Sequence, residues 1–193
     1  MAGPSPFNFI NSSASAKPRN LVTPVMKLIA SFQVDHTRIV PGIYVSRRDK
    51  VQGGWITTFD IRMKKPNVEP AVHPNAMHTI EHIVATYLRG STFKDHVVYW
   101  GPMGCLTGFY FITNTDFEIQ PKDIEKLIRA AFRHQANYKG EVPGATAVNC
   151  GNYRLHDLAM AKWEAAEFLK RKWKFTYPPA KRIKANGRTF FDA

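Results

Sequence analysis

Residues 77–84, with the sequence MHTIEHIV, constrain this chain more than any other stretch. If they are helical, His78 and His82 lie one turn apart on one face, close enough to bind one metal ion. Glu81 lies beside the second imidazole, where it can carry a proton or support a ligand by hydrogen bonding. The order H-x-x-E-H is the inverse of the zinc-protease motif H-E-x-x-H. Two hydrogen-bonded core histidines would match the same pattern, so a third ligand elsewhere must decide between the interpretations.

The helix that carries this motif is predicted to be buried. It can begin at Pro74 or Asn75. Apolar residues follow on most of its sides, namely Met77, Ile80, Ile83, Val84, Tyr87 and Leu88. Because buried polar groups need partners, both histidines and Glu81 must each find one.

The composition is that of a soluble globular protein. The chain has 193 residues, of which 44% are hydrophobic and 12% aromatic, as expected for one domain with extensions. No apolar run approaches the ~20 residues that a membrane span requires. Two cysteines, Cys105 and Cys150, are too few for a disulfide framework, which indicates a reducing compartment and predicts a cytoplasmic protein.

The formal net charge of +12 is concentrated at the two ends of the chain. Residues 1–30 contain three basic and no acidic residues, and residues 170–193 contain eight basic residues and one acidic residue. Basic ends alone define no nucleic-acid fold, so no nucleic-acid partner is expected. We predict a flexible extension over residues 1–30, a folded domain over residues 31–172 and a basic tail over residues 173–193.

Apolar periodicity predicts the order of the elements. Besides the motif helix, strands are predicted at 31–36 (an edge strand), 43–46, 55–63, 96–100 and 107–113, and helices at 121–135 and about 153–173. The last helix is expected to bury Leu155, Leu158, Ala159, Ala166 and Leu169. With no regular βαβ alternation, the pattern predicts an α+β fold: a two-layer arrangement with a largely antiparallel sheet packed against helices, the metal-binding helix being buried.

Two further side chains are candidates for chemistry. Cys105 ends a turn of two glycines and a proline (GPMGC, residues 101–105), a setting that can present a thiol, although an inert core thiol fits too. Arg62 lies on the polar face of its predicted strand; it would face solvent there, or clamp a carboxylate beside a site.

Two imidazoles at i and i+4 require a third protein ligand and an open position to form a catalytic metal site. The candidates are Cys105, Cys150, His96 and His156. A thiolate is the strongest of these for a soft or borderline ion. Spacing leaves the choice open.

Five motifs, in order over about residues 31–170, resemble the S-ribosylhomocysteine lyase (LuxS) family. They are SF with DH (31–36), FDIR with PN (59–67), HTIEH (78–82), GPMGCLTGFY (101–110) and CG followed by LHDL (150–158). The resemblance implies a homodimeric α+β enzyme that binds Fe²⁺, replaceable by Zn²⁺ or Co²⁺. It would cleave S-ribosylhomocysteine to homocysteine and 4,5-dihydroxypentane-2,3-dione, the precursor of the autoinducer-2 signal.

The resemblance also implies the residue roles. His78, His82 and Cys150 would bind the metal, and Cys105 and Glu81 would be the acid and base. Ser31, His36 and Arg62 would contact the substrate, some of them across the dimer interface.

The chain departs from this family's pattern in two places. It has YWG at residues 99–101 where the family usually has an acidic residue, Ile and Ser, and it has MKK at residues 63–65. Both changes are expected to alter the pocket for the amino-acid end of the substrate. The alternative functions are an inverted-motif zinc metallopeptidase, which leaves both cysteines without a role, and a non-catalytic metal-stabilised module, which requires a closed four-ligand site.

Overall fold

The computed structural model describes residues 34–179, together with the backbone of residues 184–185 and 188–189. Its strands are β1 (Gly42–Val51), β2 (Gly54–Arg62), β3 (Val97–Pro102) and β4 (Gly108–Thr115), with a short separate pair, β5 (Lys184–Ala185) and β6 (Arg188–Thr189). Its helices are α1 (Pro74–Gly90), α2 (Pro121–Ala136) and α3 (Leu158–Lys170), with a 3₁₀ turn at Lys94–His96. Within the described residues, no helix combines the length and the apolar character needed to cross a bilayer.

The four long strands form one antiparallel sheet in the order β1-β2-β4-β3. In its centre Ile61 of β2 pairs with Ile43 of β1 on one side and with Phe109 of β4 on the other. The three helices pack on one face of this sheet. The predicted α+β fold with a largely antiparallel sheet and a buried motif helix is therefore confirmed.

Alternation along β2 separates the core from the outer face of the sheet. Phe59 and Ile61 are fully buried and pack with Ile80 of α1 in the hydrophobic core. Burying such a side chain contributes about 1.5–3 kcal/mol each. Asp60 and Arg62 alternate with them and therefore point to the face that does not carry the helices.

The predicted last helix was too long. It begins at Leu158 rather than near residue 153, because the Asp157 side chain accepts a hydrogen bond from the backbone N–H of Met160 at 2.9 Å and caps the helix. It also turns a different face to the core, since its buried residues are Ala161, Glu164, Ala165 and Phe168.

The predicted edge strand at residues 31–36 is wrong in its described part. Residues 34–36 are a bend and turn. The Asp35 side chain accepts hydrogen bonds from the backbone N–H and the hydroxyl of Thr37, and such local bonds compete with strand pairing. Ser31 lies outside the described residues.

After α3 the chain returns to the edge of the sheet. The carbonyl of Lys174 accepts from the backbone N–H of Ile43 at 2.8 Å, and the ring of Tyr177 stacks on that of Tyr44 with centroids 4.5 Å apart. This contact carries Tyr177 onto the outer face, close to Asp60.

Candidate active site

Four side chains from three parts of the chain form a compact group of metal-ligating atoms. His78 and His82 belong to α1, Cys150 lies in the loop after α2, and His156 lies just before α3. One donor atom from each of the four lies within 4.8 Å of the other three. Of the four candidates for a third ligand, Cys150 and His156 are thus brought to the α1 histidines. His96 is held elsewhere by the carbonyl of Asn114, and Cys105 lies in the turn between β3 and β4.

Backbone carbonyls orient both α1 histidines. Nδ1 of His78 lies 2.9 Å from the carbonyl oxygen of Leu155, and Nδ1 of His82 lies 2.7 Å from that of Pro143. A carbonyl only accepts, so each Nδ1 carries the proton and each Nε2 presents a lone pair. A ring nitrogen tied in this way is the usual support of a metal-binding histidine. The residues present therefore fit a divalent metal ion.

Cys150 supplies the sulfur of this group. Its Sγ lies 3.4 Å from Nε2 of His78 and accepts from the backbone N–H of Asn152 at 3.4 Å. The loop is held in place because the Cys150 N–H donates to the carbonyl of Thr146 at 2.9 Å. The thiol is free and half-buried, so nothing covalent prevents it from binding an ion.

His156 is the fourth member of the group, and its ring stays neutral. Burial, the largest cause, and the neighbouring rings of His78 and His82 together lower its pKa to about 4. Its ring stacks on that of His78, with centroids 4.2 Å apart and an interplanar angle of 18°. The sequence identified His156 as one of four possible ligands, but the loop that delivers it could not be placed from spacing.

A cavity of about 230 Å³ lies on the outer face of the sheet, beside Cys105. Its described lining residues are Val34, His36, Ser46, Asp60, Arg62, Met103, Gly104, Cys105, Tyr110 and Tyr177. Leu106, which follows the cysteine, adopts φ 58°, a left-handed conformation that is uncommon for a branched side chain. Strained turns of this kind concentrate at functional sites.

The environment of Cys105 favours its thiolate. Burial raises the pKa of the thiol, but hydrogen bonding with Thr107 and the charge of Arg62 outweigh burial, so the pKa lies below its ordinary value. The Thr107 hydroxyl lies 3.1 Å from the sulfur, and Nη1 of Arg62 lies 3.8 Å from it. The exposed sulfur therefore combines access with a stabilised negative charge.

Of the two possibilities for Arg62, the solvent-facing one is wrong, because the side chain is buried. It is 3% exposed, and its carboxylate partner is Asp60, two residues earlier on the same strand, at 2.5 Å. Tyr177 donates to the same carboxylate at 2.9 Å, and burial raises the pKa of its hydroxyl, so the hydroxyl stays protonated. Sequence reasoning missed Asp60 and Tyr177. The alternation of Asp60 with Arg62 on one face of β2 was the available signal.

Similarity to known proteins decides the family. Residues 29–177 match the S-ribosylhomocysteinase (LuxS) family. The chain is 57% identical over 145 residues to an S-ribosylhomocysteine lyase of Phocaeicola vulgatus, covering 75% of this chain and 89% of that protein. It is 52% identical to the S-ribosylhomocysteine lyases of Porphyromonas gingivalis and Desulfotalea psychrophila, in each case over 75% of this chain and over 91% and 90% of those proteins. This chain belongs to the LuxS family.

Family membership does not support the peptidase alternative. An inverted-motif peptidase would take a carboxylate as third ligand, whereas the group around the LuxS motif helix contains three imidazoles and one thiol. Glu81 is half-buried beside His82 and makes no hydrogen bond or ion pair with any described residue. Its carboxylate is therefore available for chemistry and does not belong to the ligand group.

This LuxS chain accommodates its YWG segment by close packing of two residues. A Cβ added to Gly101 would lie 1.9 Å from the hydroxyl oxygen of Tyr99. The Tyr99 side chain, 45% exposed, therefore occupies the space that a larger residue at position 101 would need. This pair shapes the start of the segment that leads to Cys105, and its effect on the pocket for the amino-acid end of the substrate stays a prediction.

Cys105 and the metal-ligating group do not meet within one LuxS chain. None of the four residues of the metal-ligating group is among the described residues that line the Cys105 cavity. The cavity lies on the outer face of the sheet with Asp60 and Arg62, while α1 packs on the opposite, core face. His36 belongs with Cys105, since it lines the cavity and its Nδ1 donates to the carbonyl of Val34 at 2.8 Å.

Proposed function

We propose that this protein is a metal-dependent S-ribosylhomocysteine lyase, which cleaves its substrate to homocysteine and 4,5-dihydroxypentane-2,3-dione, the autoinducer-2 precursor. One observation carries the proposal: His78, His82 and Cys150 bring the donor atoms of two oriented imidazoles and a thiol within 4.8 Å of one another. Membership of the LuxS family, whose relatives carry this activity in their names, supports it.

The proposed ion is Fe²⁺, with Zn²⁺ or Co²⁺ as substitutes. His78, His82 and Cys150 would hold it, because two imidazoles and a thiolate suit borderline divalent ions. When bound, the ion would supply Lewis acidity that acidifies a C–H next to a carbonyl and stabilises the resulting negative charge.

The reaction requires protons to be moved on and off sugar carbons. The thioether cannot leave until a carbonyl lies β to the sulfur, so the carbonyl must first migrate along the ribose. Cys105, as a thiolate, and Glu81, as a free carboxylate, would take and return these protons on opposite sides of the sugar chain. Removal of the proton next to the final carbonyl then breaks the C–S bond, and homocysteine leaves as its thiolate.

The remaining roles belong to the Cys105 cavity. We propose that His36 and Arg62, together with Ser31, contact the substrate there. Arg62 is paired with Asp60 and also donates to the Thr107 hydroxyl at 2.6 Å. Besides contacting the substrate, it would therefore hold the turn that carries Cys105 and favour the thiolate form of that cysteine. Asp60 and Tyr177 would fix the guanidinium in place.

A homodimer would bring the two halves of the site together. Cys105 and the cluster lie on different sides of the sheet in one chain, so a cysteine from one protomer and a metal group from its partner would form each active site. A symmetric dimer contains two such composite sites. Residues 31–172, together with the returning segment that carries Tyr177, would form the catalytic domain. The free thiols of Cys105 and Cys150 agree with a cytoplasmic enzyme.

The direct test is turnover. The iron-loaded protein is incubated anaerobically with S-ribosylhomocysteine, and free homocysteine thiol is measured with a thiol reagent. We expect stoichiometric release of thiol that stops when the ion is removed by a chelator and returns with Fe²⁺. Failure of the metal-loaded protein to release thiol would refute the proposed function.

A further inference from the structure

The proposed ligand set leaves His156 without a role, although its donor atom belongs to the same group of four. Its Nε2 is buried and has no hydrogen-bond partner among the described residues. A buried polar atom without a partner is costly, so such an atom in a functional site indicates a missing ligand.

Hydrogen bonds around Thr79 show which ring nitrogen of His156 carries the proton. The Thr79 hydroxyl donates its only proton to the carbonyl of Asn75 at 2.8 Å, and it accepts from the backbone N–H of Asp157 at 2.9 Å. Its 3.2 Å contact with Nδ1 of His156 therefore requires that Nδ1–H be the donor. Nε2 is left as a lone-pair acceptor directed into the site.

The position of the ring is built by three consecutive residues that are fastened to α1. The carbonyl of Leu155 accepts from His78, the ring of His156 donates to Thr79, and the backbone N–H of Asp157 donates to Thr79. Thr79 is fully buried, one residue after the first proposed ligand. The ring of His156 is thus held by the same helix that holds the ligands.

Ring geometry and the position of Cys150 separate the roles of His78 and His156. The ring of His82 is nearly perpendicular to both, at 87° and 76°, an arrangement that allows lone pairs to converge. The rings of His78 and His156 are stacked on each other at 18°, so they do not face one another across a shared point. Because Sγ of Cys150 lies 3.4 Å from Nε2 of His78, His78 completes the proposed ligand set with His82, and Nε2 of His156 is left for another group.

We propose that His156 is a substrate-binding residue whose Nε2 accepts a hydrogen bond from the sugar hydroxyl that lies against the ligand group. This inference rests on the proposed lyase function, which supplies a polyhydroxylated substrate. A hydroxyl that donates its proton to Nε2 turns its own lone pairs away from His156, towards His78, His82 and Cys150. His156 would thereby select the orientation in which the sugar oxygen meets the metal site.

The first test reads the ring directly. The full-length protein, labelled with ¹⁵N-histidine, is loaded with ¹¹³Cd²⁺ as a probe for the divalent ion. We expect scalar coupling of cadmium to the rings of His78 and His82, none to His156, and the Nδ1–H tautomer for His156. Coupling to His156, or a proton on its Nε2, would overturn the proposal.

The second test adds substrate to the Cys105→Ala protein, which we expect to bind S-ribosylhomocysteine without converting it. Saturation should shift the ¹⁵Nε2 resonance of His156, because Nε2 gains a donor. If the resonance does not change while the wild-type protein turns over substrate, the proposed role of His156 is overturned and the lyase function stands. Absence of turnover in the wild-type protein overturns both the lyase function and this inference.

The third test separates the hydrogen-bond acceptor Nε2 of His156 from the packing of its ring. His156→Phe preserves a ring that can stack on His78 but removes Nε2, so metal content should persist while kcat/KM falls about 10–100-fold, the usual cost of a lost hydrogen bond to a buried group. His156→Gln, which restores an acceptor oxygen, should recover part of that loss. Unchanged kcat/KM in His156→Phe, or loss of its metal, would contradict the proposal.

Thr79 provides an independent pair of variants should His156→Phe fail to fold. Thr79→Val removes the acceptor for Nδ1–H, so part of the His156 population should move to the Nε2–H tautomer with a parallel fall in kcat/KM. Thr79→Ser keeps the hydroxyl and should retain both the tautomer and the activity. The same tautomer population and the same kcat/KM in both variants would refute the role of the contact between Thr79 and His156.

Discussion

The sulfur of Cys150 lies 3.4 Å from Nε2 of His78, although 72 residues separate them in the chain. Both atoms are donors that bind borderline metals, and Nε2 carries its lone pair because Nδ1 is tied to Leu155. The contact therefore brings the loop of Cys150 to helix α1 at the proposed metal site.

Cys150→Ala should lose most of its bound metal. Removing the sulfur of the proposed ligand set leaves two imidazoles. The affinity for the metal should therefore fall by more than the roughly 10–100-fold that is typical when a metal ligand loses its hydrogen-bond partner. Elemental analysis of the purified protein measures the metal per chain. Cys105→Ala is the matched control, because its sulfur lies outside the group, and it should keep its metal. Full occupancy in Cys150→Ala would contradict the ligand assignment.

Cys105→Ala should fold and bind metal normally yet lose nearly all turnover. Loss of a proton-transfer group costs about 10²–10⁴-fold in rate. The measurements are kcat with S-ribosylhomocysteine, circular dichroism and metal content. Because the metal group and Arg62 are untouched, the variant should still bind substrate. Retained activity would end the assignment of Cys105 as an acid/base group.

Iodoacetamide should alkylate Cys105 at a pH below that needed for an ordinary thiol, whose pKa is about 8.5. Burial raises the pKa of Cys105, but Thr107 and Arg62 together lower it, so the thiolate persists to lower pH. Thr107→Val removes a lowering contribution and should move the alkylation profile to higher pH, whereas Thr107→Ser should leave it in place. Mass spectrometry resolves Cys105 from Cys150. Identical profiles in the two variants would refute this account.

Two inactive chains should complement each other if the active site is shared between protomers. Co-expression of His78→Ala with Cys105→Ala yields mixed dimers in which one of the two sites has both an intact metal group and an intact thiol. A statistical mixture should recover about a quarter of the wild-type activity. Each variant expressed alone is the control and should be inactive. Absence of recovery in verified mixed dimers would show that each chain builds its own site.

Deleting residues 1–24 and 178–193 together should leave turnover largely intact. The family match spans residues 29–177, and both deleted segments lie outside it. Tyr177, which donates to Asp60, is retained. We would compare kcat and KM of the truncated and full-length proteins. A large fall in kcat would show that one of the extensions contributes to the site.

Much of this protein follows from local patterns in the sequence. The helix that presents His78 and His82 depends on 3.6-residue periodicity, and the alternation in β2 that separates Phe59 from Asp60 depends on the two-residue repeat of a strand. Both are properties of neighbouring residues, so they can be predicted without knowing the fold. The five ordered motifs are also short stretches of sequence, so the resemblance to the LuxS family could be stated without knowing the fold.

The tertiary structure decided the contacts between distant segments. Cys150 and His156 join the α1 histidines while Cys105 and His96 do not, because loops of the chain, not its spacing, deliver side chains to a helix face. The start of α3 shifted because the Asp157 cap competes with continued helix. Arg62 became a buried partner of Asp60 because the returning segment with Tyr177 covers that face of the sheet. Such choices depend on which surfaces pack together, and packing is a property of the whole fold.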